Sequence, residues 1–229
     1  FYSVHTSTTA GRDLFNGPAL LSHDVTLDKE GEGPQILIYH THSQEAFKDS
    51  GPQGRTIVEV GDYLAELLTQ KGYRVYHDTS VYDLQSGVLD RSKAYNYALE
   101  GVNRILQQNP SIQVVLDLHR DGVSENLHMV SDINGKPTAQ IMFFNGLSRT
   151  PEGKIAYLPN PYLAENLAFS LKMQLGAQAY FPGFARKIYL KGLRYNLHLR
   201  PKSALIEAGA QTNTFEEVKN AMEPLAQLL

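Results

Sequence analysis

Hydrophobic positions along the chain switch between two periods, and the switches mark out its elements. Gln35-Ile36-Leu37-Ile38-Tyr39 follows the breaker Gly31-Glu32-Gly33-Pro34. It is a short apolar, partly β-branched run, which predicts a strand buried on both faces. From Thr56 the spacing turns helical, with Ile57, Val60, Leu64, Leu67 and Leu68 on one stripe and Lys71-Gly72 as the stop. Tyr73-Arg74-Val75-Tyr76 predicts a strand, and Ala94, Ala98, Val102 and Ile105 a second helix ended by Asn109-Pro110. Ile112-Gln113-Val114-Val115-Leu116 is another interior strand. Strand, helix, strand, helix, strand is the pattern of a parallel sheet with helices on its faces.

Residues 126–145 break that rhythm. Two strand-like runs flank Asn134-Gly135, a strong hairpin signal, and predict an antiparallel ribbon that extends the sheet or projects from it. Pro159 to Pro161 then introduce a helix with Leu163, Leu167, Leu171 and Leu175 on one face. Lys187 to Leu190 and Ala204 to Ile206 read as strands. A last helix carries Phe215, Val218, Met222 and Leu225, opened by the capping box Thr214-Phe215-Glu216-Glu217. Residues 1–33, rich in Ser, Thr, Gly and Asp, read as an N-terminal arm with one short strand at Val25–Leu27. Residues 34–229 then form one α/β domain.

Composition narrows the function classes. The 229 residues suit one full core, burying roughly 70% of the unfolded surface. With 21 Lys+Arg against 24 Asp+Glu and no basic run, the footprint of a nucleic-acid binder is missing. No apolar stretch approaches the ~20 residues of a membrane span. The chain begins Phe1-Tyr2-Ser3 and reads as a processed product whose address or anchor has been removed. It has no Cys, so any bound metal must be held by His and carboxylate.

Ligands of open α/β sheets gather outside the carboxyl ends of the strands. There the first strand delivers His40-Thr41-His42-Ser43-Gln44-Glu45, the interior strand Asp117-Leu118-His119-Arg120-Asp121, and the strand near the C-terminus Glu207. Zinc hydrolases need two or three imidazoles, often a carboxylate, and a nearby unligated acid/base. His42 and Glu45, as H-x-x-E, and His119 supply the metal ligands, and Glu207 the general base. His40 alternates with His42 and belongs behind the ligands. Glu59, on the first turn of the first helix, is a rival carboxylate ligand; its plainer reading is an acid favoured by the helix dipole. His5, His23, His77, His128 and His198 read as surface or structural residues. Serine-hydrolase, NTPase and dinucleotide-binding motifs are absent. The polar-aromatic segment Arg186 to Arg200 fits either a cleft lining for peptide or sugar or an ordinary edge strand and loop.

Several blocks carry a family resemblance: Ile36 through Glu45, Val60-Gly61-Asp62, His77-Asp78-Thr79, Asp117 through Asp121, Arg194-Tyr195-Asn196, Ile206 through Gly209, and Asn213-Thr214. Together, from about residue 35 to the C-terminus, they resemble stage II sporulation protein P of endospore-forming bacteria. That family is similar to the zinc-dependent N-acetylmuramoyl-L-alanine amidases. The resemblance implies a three-layer α/β/α fold with a mostly parallel sheet. It implies one Zn²⁺ on His42, Glu45 and His119, with Glu207 as catalytic acid. The expected activity is cleavage of the amide between muramic acid and L-alanine of peptidoglycan during engulfment, with cross-link endopeptidase activity attributed to the family as well. It further implies an extracytoplasmic location between mother cell and forespore membranes, through a membrane anchor outside this chain. The implied partners are the stage II sporulation proteins D and M.

On this reading Arg120 either helps the oxyanion or pairs with Asp121, and Tyr195 and Asn196 contact substrate. Two rivals differ in class or substrate. A zinc carboxypeptidase would take a terminal carboxylate on Arg186, Arg194 or Arg200, and a non-catalytic module would only bind wall or a partner.

Overall fold

The computed structural model describes residues 1–52, 54–85 and 87–229. In chain order the elements are β1 (Tyr2–Val4), α1 (Gly17–Ser22), β2 (Ile36–Tyr39), α2 (Ile57–Gln70), β3 (Val75–His77), β4 (Leu84–Gln85), β5 (Val88–Leu89) and α3 (Arg91–Gln108). Then follow β6 (Val114–Asp121), β7 (Val130–Ile133), β8 (Lys136–Ala139), β9 (Ile141–Gly146), β10 (Arg149–Thr150), β11 (Gly153–Lys154), α4 (Leu163–Tyr180), β12 (Ile188–Lys191), β13 (Ser203–Ala210) and α5 (Phe215–Leu228).

Among the described residues, seven strands form the main sheet in the order β1-β12-β9-β13-β6-β2-β3. β3, β2, β6 and β13 run parallel. β9 is antiparallel to β13, and β12 and β1 follow β9. The mostly parallel sheet therefore reverses direction once, between β13 and β9.

Alternation along the strands builds two cores. Ile36, Ile38, Val114, Leu116, Leu118, Phe143 and Ile206 face α2, α4 and α5. Leu37, Tyr39 and Val115 face the Ala98-Val102-Ile105 stripe of α3, and Phe144 and Leu205 face Leu197. Helices thus cover both faces, as the three-layer expectation requires. The helix stripes form as read, and α2 and α5 each open with a complete capping box. α4 departs from its one-face reading. Asn166, Leu167, Ala168, Phe169, Ser170, Leu171, Met173 and Gln174 are all buried, because α1, α5 and the sheet surround the helix.

The turn at Asn134-Gly135 has left-handed backbone at both residues (φ 55° and 78°), the geometry of a two-residue hairpin. The hairpin is shorter than the 126–145 expected: β7 and β8 form their own ladder against α5, and β9 is a central strand of the main sheet. Val25–Leu27 is not a strand. The neighbouring backbone bonds to side chains instead, Asp28 to Gln113 in both directions and Thr26 O to Lys202 Nζ. Within residues 1–33 it is Tyr2–Val4 that joins the sheet, as its edge beside β12.

Candidate metal centre

After Tyr39 the chain leaves the sheet through a turn stitched to its neighbours. Thr41 donates to Asp117 through both N–H (2.9 Å) and Oγ1 (2.7 Å). Ser43 Oγ and Gln44 N donate to Asp83 at 2.9 and 3.2 Å. Within this turn the H-x-x-E unit folds back on itself, with His42 Nδ1 3.5 Å from Glu45 Oε1. His119 arrives from β6, on the face that also carries Asp117 two residues before it. Its Nδ1 lies 3.4 Å from Glu45 Oε2, and its Nε2 2.8 Å from Asp117 Oδ1. The His42 and His119 rings stand perpendicular with centroids 5.0 Å apart. One donor atom from each of His42, Glu45 and His119 falls within 4.8 Å of the others.

The electrostatics follow from charges packed in a buried place. Burial opposes charge on both His119 and Glu45. Yet Asp117 and Glu45 hold the His119 imidazole well above its ordinary value. Conversely His119, His42 and the Arg120 N–H, which donates to Glu45 Oε2 at 2.9 Å, hold the Glu45 carboxyl well below its own. Glu207 differs. It sits opposite His119 in the β13–β6 register, its Oε2 is buried with no hydrogen-bond partner, and burial pushes its carboxyl up to about 8. The nearby carboxylates Glu45, Asp121 and Asp117 reinforce that rise, and His119 opposes it.

The remaining candidates spread out. Arg120 serves Glu45 through its backbone, while its guanidinium is tied to the carbonyls of Ala46 and Asp121. The Asp121 carboxylate pairs with Arg186, not Arg120, at 2.8 Å. Tyr195 stacks edge-on against Tyr95 and Phe144, and Tyr95 in turn abuts the His42 ring. Asn196 is buried and donates to the Tyr95 carbonyl at 2.8 Å. Both residues thus brace Tyr95, which lines the centre. Glu59 is an exposed capping-box acid, accepting from Thr56 N at 2.7 Å.

His40 lies behind the ligands, on the Ile36–Ile38 side of the sheet. It contacts Leu118 O and His77 Nε2 at 2.8 Å each, and His77 Nδ1 lies 2.9 Å from Asp62. His77, expected as a surface or structural residue, is the middle of this chain, which runs from buried His40 out to exposed Asp62. Asp117 was missed as a site residue, and so was Tyr95. For Asp117 a signal existed: in a strand, positions 117 and 119 share a face.

Comparison with known proteins adds a family and a fold. The family described as Stage II sporulation protein P matches residues 5–229. The stage II sporulation protein P of Bacillus subtilis (strain 168) is 23% identical over 217 residues, 86% of this chain and 51% of that protein. The chain therefore spans about half the length of this curated relative. Among solved structures, the CwlD amidase from Clostridioides difficile, in complex with the GerS lipoprotein, overlays with a TM-score of 0.52 at 12% identity. That overlay covers 85% of this chain and 93% of the other. The N-acetylmuramoyl-L-alanine amidase AmiC2 of Nostoc punctiforme gives 0.48 at 15% identity, over 86% and 96%.

Proposed function

The chain belongs to the stage II sporulation protein P family, and from that premise we propose that it is a zinc-dependent peptidoglycan hydrolase. The bond cleaved is the amide between N-acetylmuramic acid and the L-alanine of the stem peptide, with cross-link endopeptidase action as a second outlet of the same site. One observation carries this reading: His42, Glu45 and His119 converge beside the partnerless carboxyl of Glu207.

Two imidazoles and a carboxylate are a donor set that fits zinc. Their donor atoms lie within 4.8 Å of one another, close enough to share one ion. His42, Glu45 and His119 would hold a zinc ion, which when bound would supply Lewis acidity for attack on the amide. The chain's own side chains do the rest. Asp117, fixed by two bonds from Thr41, orients the His119 ring from behind. Glu207 takes the proton from the attacking water and returns it to the departing alanine nitrogen. A carboxyl raised toward neutrality suits both halves of that exchange.

Work on this polymer belongs on the extracytoplasmic side of the membrane, alongside the stage II sporulation proteins D and M. No described helix is long and apolar enough to cross a membrane. The test is digestion of purified peptidoglycan with product masses read out. Release of intact stem peptides supports the amidase, whereas loss of only a terminal residue would make the enzyme a carboxypeptidase. Glu207→Gln should keep its zinc and lose on the order of 10²- to 10⁴-fold in rate. Wall binding with no hydrolysis by the wild type would leave only a binding module.

A further inference from the structure

The sheet face that carries His119 continues beyond the centre, across strands that α3 does not cover. Register fixes the row. His119 on β6 pairs with Glu207 on β13, and Glu207 with Met142 on β9. One step along, Phe144 on β9 pairs with Tyr189 on β12, and Tyr189 with Ser3 on the edge strand β1. Here the face opens into a cleft of roughly 430 Å³ lined by Ser3, Asp121, Met142, Arg186, Lys187 and Tyr189. Met142 and Asp121 both border Glu207, so the cleft begins where the catalytic centre ends.

Its charge is cationic. Arg186 Nη1 is held by Asp121 Oδ2 at 2.8 Å, which orients the guanidinium and leaves most of its five N–H donors unspent. Lys187 is exposed and makes no ion pair among the described residues. Two cations against one carboxylate leave the cleft ready for an anion.

The span from Glu207 says which anion. Lys187 directly precedes β12, two strand spacings or roughly 10 Å from β13, while the Arg186 guanidinium reaches back to Asp121 beside Glu207. Extended peptide advances about 3.3–3.6 Å per residue, so Lys187 stands about three residues from the centre and the Arg186 guanidinium nearer. Building on the function proposed above, we propose that Arg186 and Lys187 form a subsite for a substrate carboxylate carried two to three residues from the scissile amide. Tyr189 and Met142 form its floor. The enzyme thereby selects stem peptides with a free carboxylate over their amidated counterparts.

Two synthetic N-acetylmuramoyl tripeptides, both amidated at the C-terminus and identical except for a free carboxylate or a carboxamide on the second residue, test this by calorimetry. In the Glu207→Gln chain the carboxylate form should bind about tenfold more tightly, the scale of one charge-assisted bond. Adding Arg186→Gln and Lys187→Gln should bring the ratio to about one. Lys187→Gln alone, at an exposed position, keeps the fold and should take the ratio part of the way. Equal affinity before those changes, or a tenfold preference that survives them, overturns the subsite. If the wild type hydrolyses neither tripeptide nor wall yet Arg186 and Lys187 still carry the preference, the hydrolase reading falls and the subsite stands.

Discussion

Two histidine clusters lie back to back across β2 and β6, built from the same residue types and in part from the same five-residue stretch. Under α2, His40, His77 and Asp62 form a closed chain. Leu118 O can only accept, so His40 donates to it through Nδ1; His40 Nε2 lies 2.8 Å from His77 Nε2, and His77 Nδ1 lies 2.9 Å from the Asp62 carboxylate. On the other face, His42, Glu45 and His119 converge, His42 Nε2 has no partner, and Glu207 Oε2 nearby has none either. The first cluster spends its hydrogen-bonding capacity on itself and holds two strands and a helix together. The second leaves capacity over, and unpaired buried donors and acceptors are costly unless a ligand uses them. Histidine count alone does not separate the two clusters; the convergence of His42, Glu45 and His119 beside Glu207 does.

The sharpest way to break this contrast is to delete one ring from each side. His119→Ala should abolish zinc uptake and lower hydrolysis by at least about 10³-fold, since the ligand set loses a member. His77→Ala should still bind about one zinc per chain, with its damage confined to stability. Metal analysis of both purified proteins decides: zinc retained by the first, or lost by a folded form of the second, would erase the distinction.

The clusters should also tilt the pH dependence of stability in opposite directions when zinc is chelated away. Burial, with His77 next, pushes His40 down to about 4. Its contribution is therefore full above the unfolded value near 6.5 and is lost as pH falls toward 4. Burial pushes Glu207 up to about 8. The folded chain then binds the extra proton between about 4.5 and 8, so stability falls as pH rises through that window. Each limb is on the order of a few kcal/mol. Urea unfolding of chelated protein at pH 5, 7 and 9 should show the alkaline loss shrink in Glu207→Gln while the acid loss stays. An unchanged alkaline limb would mean that Glu207 ionises as an ordinary carboxyl.

Gly61 offers a more local probe of the closed cluster. A Cβ there would meet His40 Nε2 and His77 Nε2 at 2.6 Å, inside contact distance of both rings. Gly61→Ala should cost about 1–3 kcal/mol by overpacking, in spite of the better helix propensity of alanine. A gain in stability would show that the rings can separate without penalty.

How much of this was legible beforehand depended on what each feature requires. Strand and helix periods in Ile36–Tyr39, Ile57–Gln70 and Phe215–Leu228 are local, and they read directly from the sequence. Tyr2–Val4 has only three residues and no alternation to detect; β12 makes it a strand. The insertion of β9 between β12 and β13 is a matter of strand order, which no period encodes. The expectation that His42, Glu45 and His119 come together rested on strand ends and on family resemblance. Strand alternation bears on the two alternatives for Arg120: 120 lies on the opposite face from 119, and its guanidinium donates to the carbonyls of Ala46 and Asp121. The structural role expected of His77 holds, but its partners, which come from β2 and α2, leave no trace in a lone histidine.

The smallest expected effect separates the two carboxylates that compete for the metal in the sequence. Glu45 lies within reach of both imidazoles, whereas Glu59 caps its own helix through Thr56 N. Glu59→Ala should therefore cost only about 1 kcal/mol of stability, the worth of half a capping box, and leave zinc content unchanged. Glu45→Ala should lose the metal with His119→Ala. Both changes remove one carboxylate from the start of the domain, so net charge is matched and only geometry differs. If Glu59→Ala sheds zinc and Glu45→Ala keeps it, the H-x-x-E turn is structural and the ligand set must be redrawn around α2.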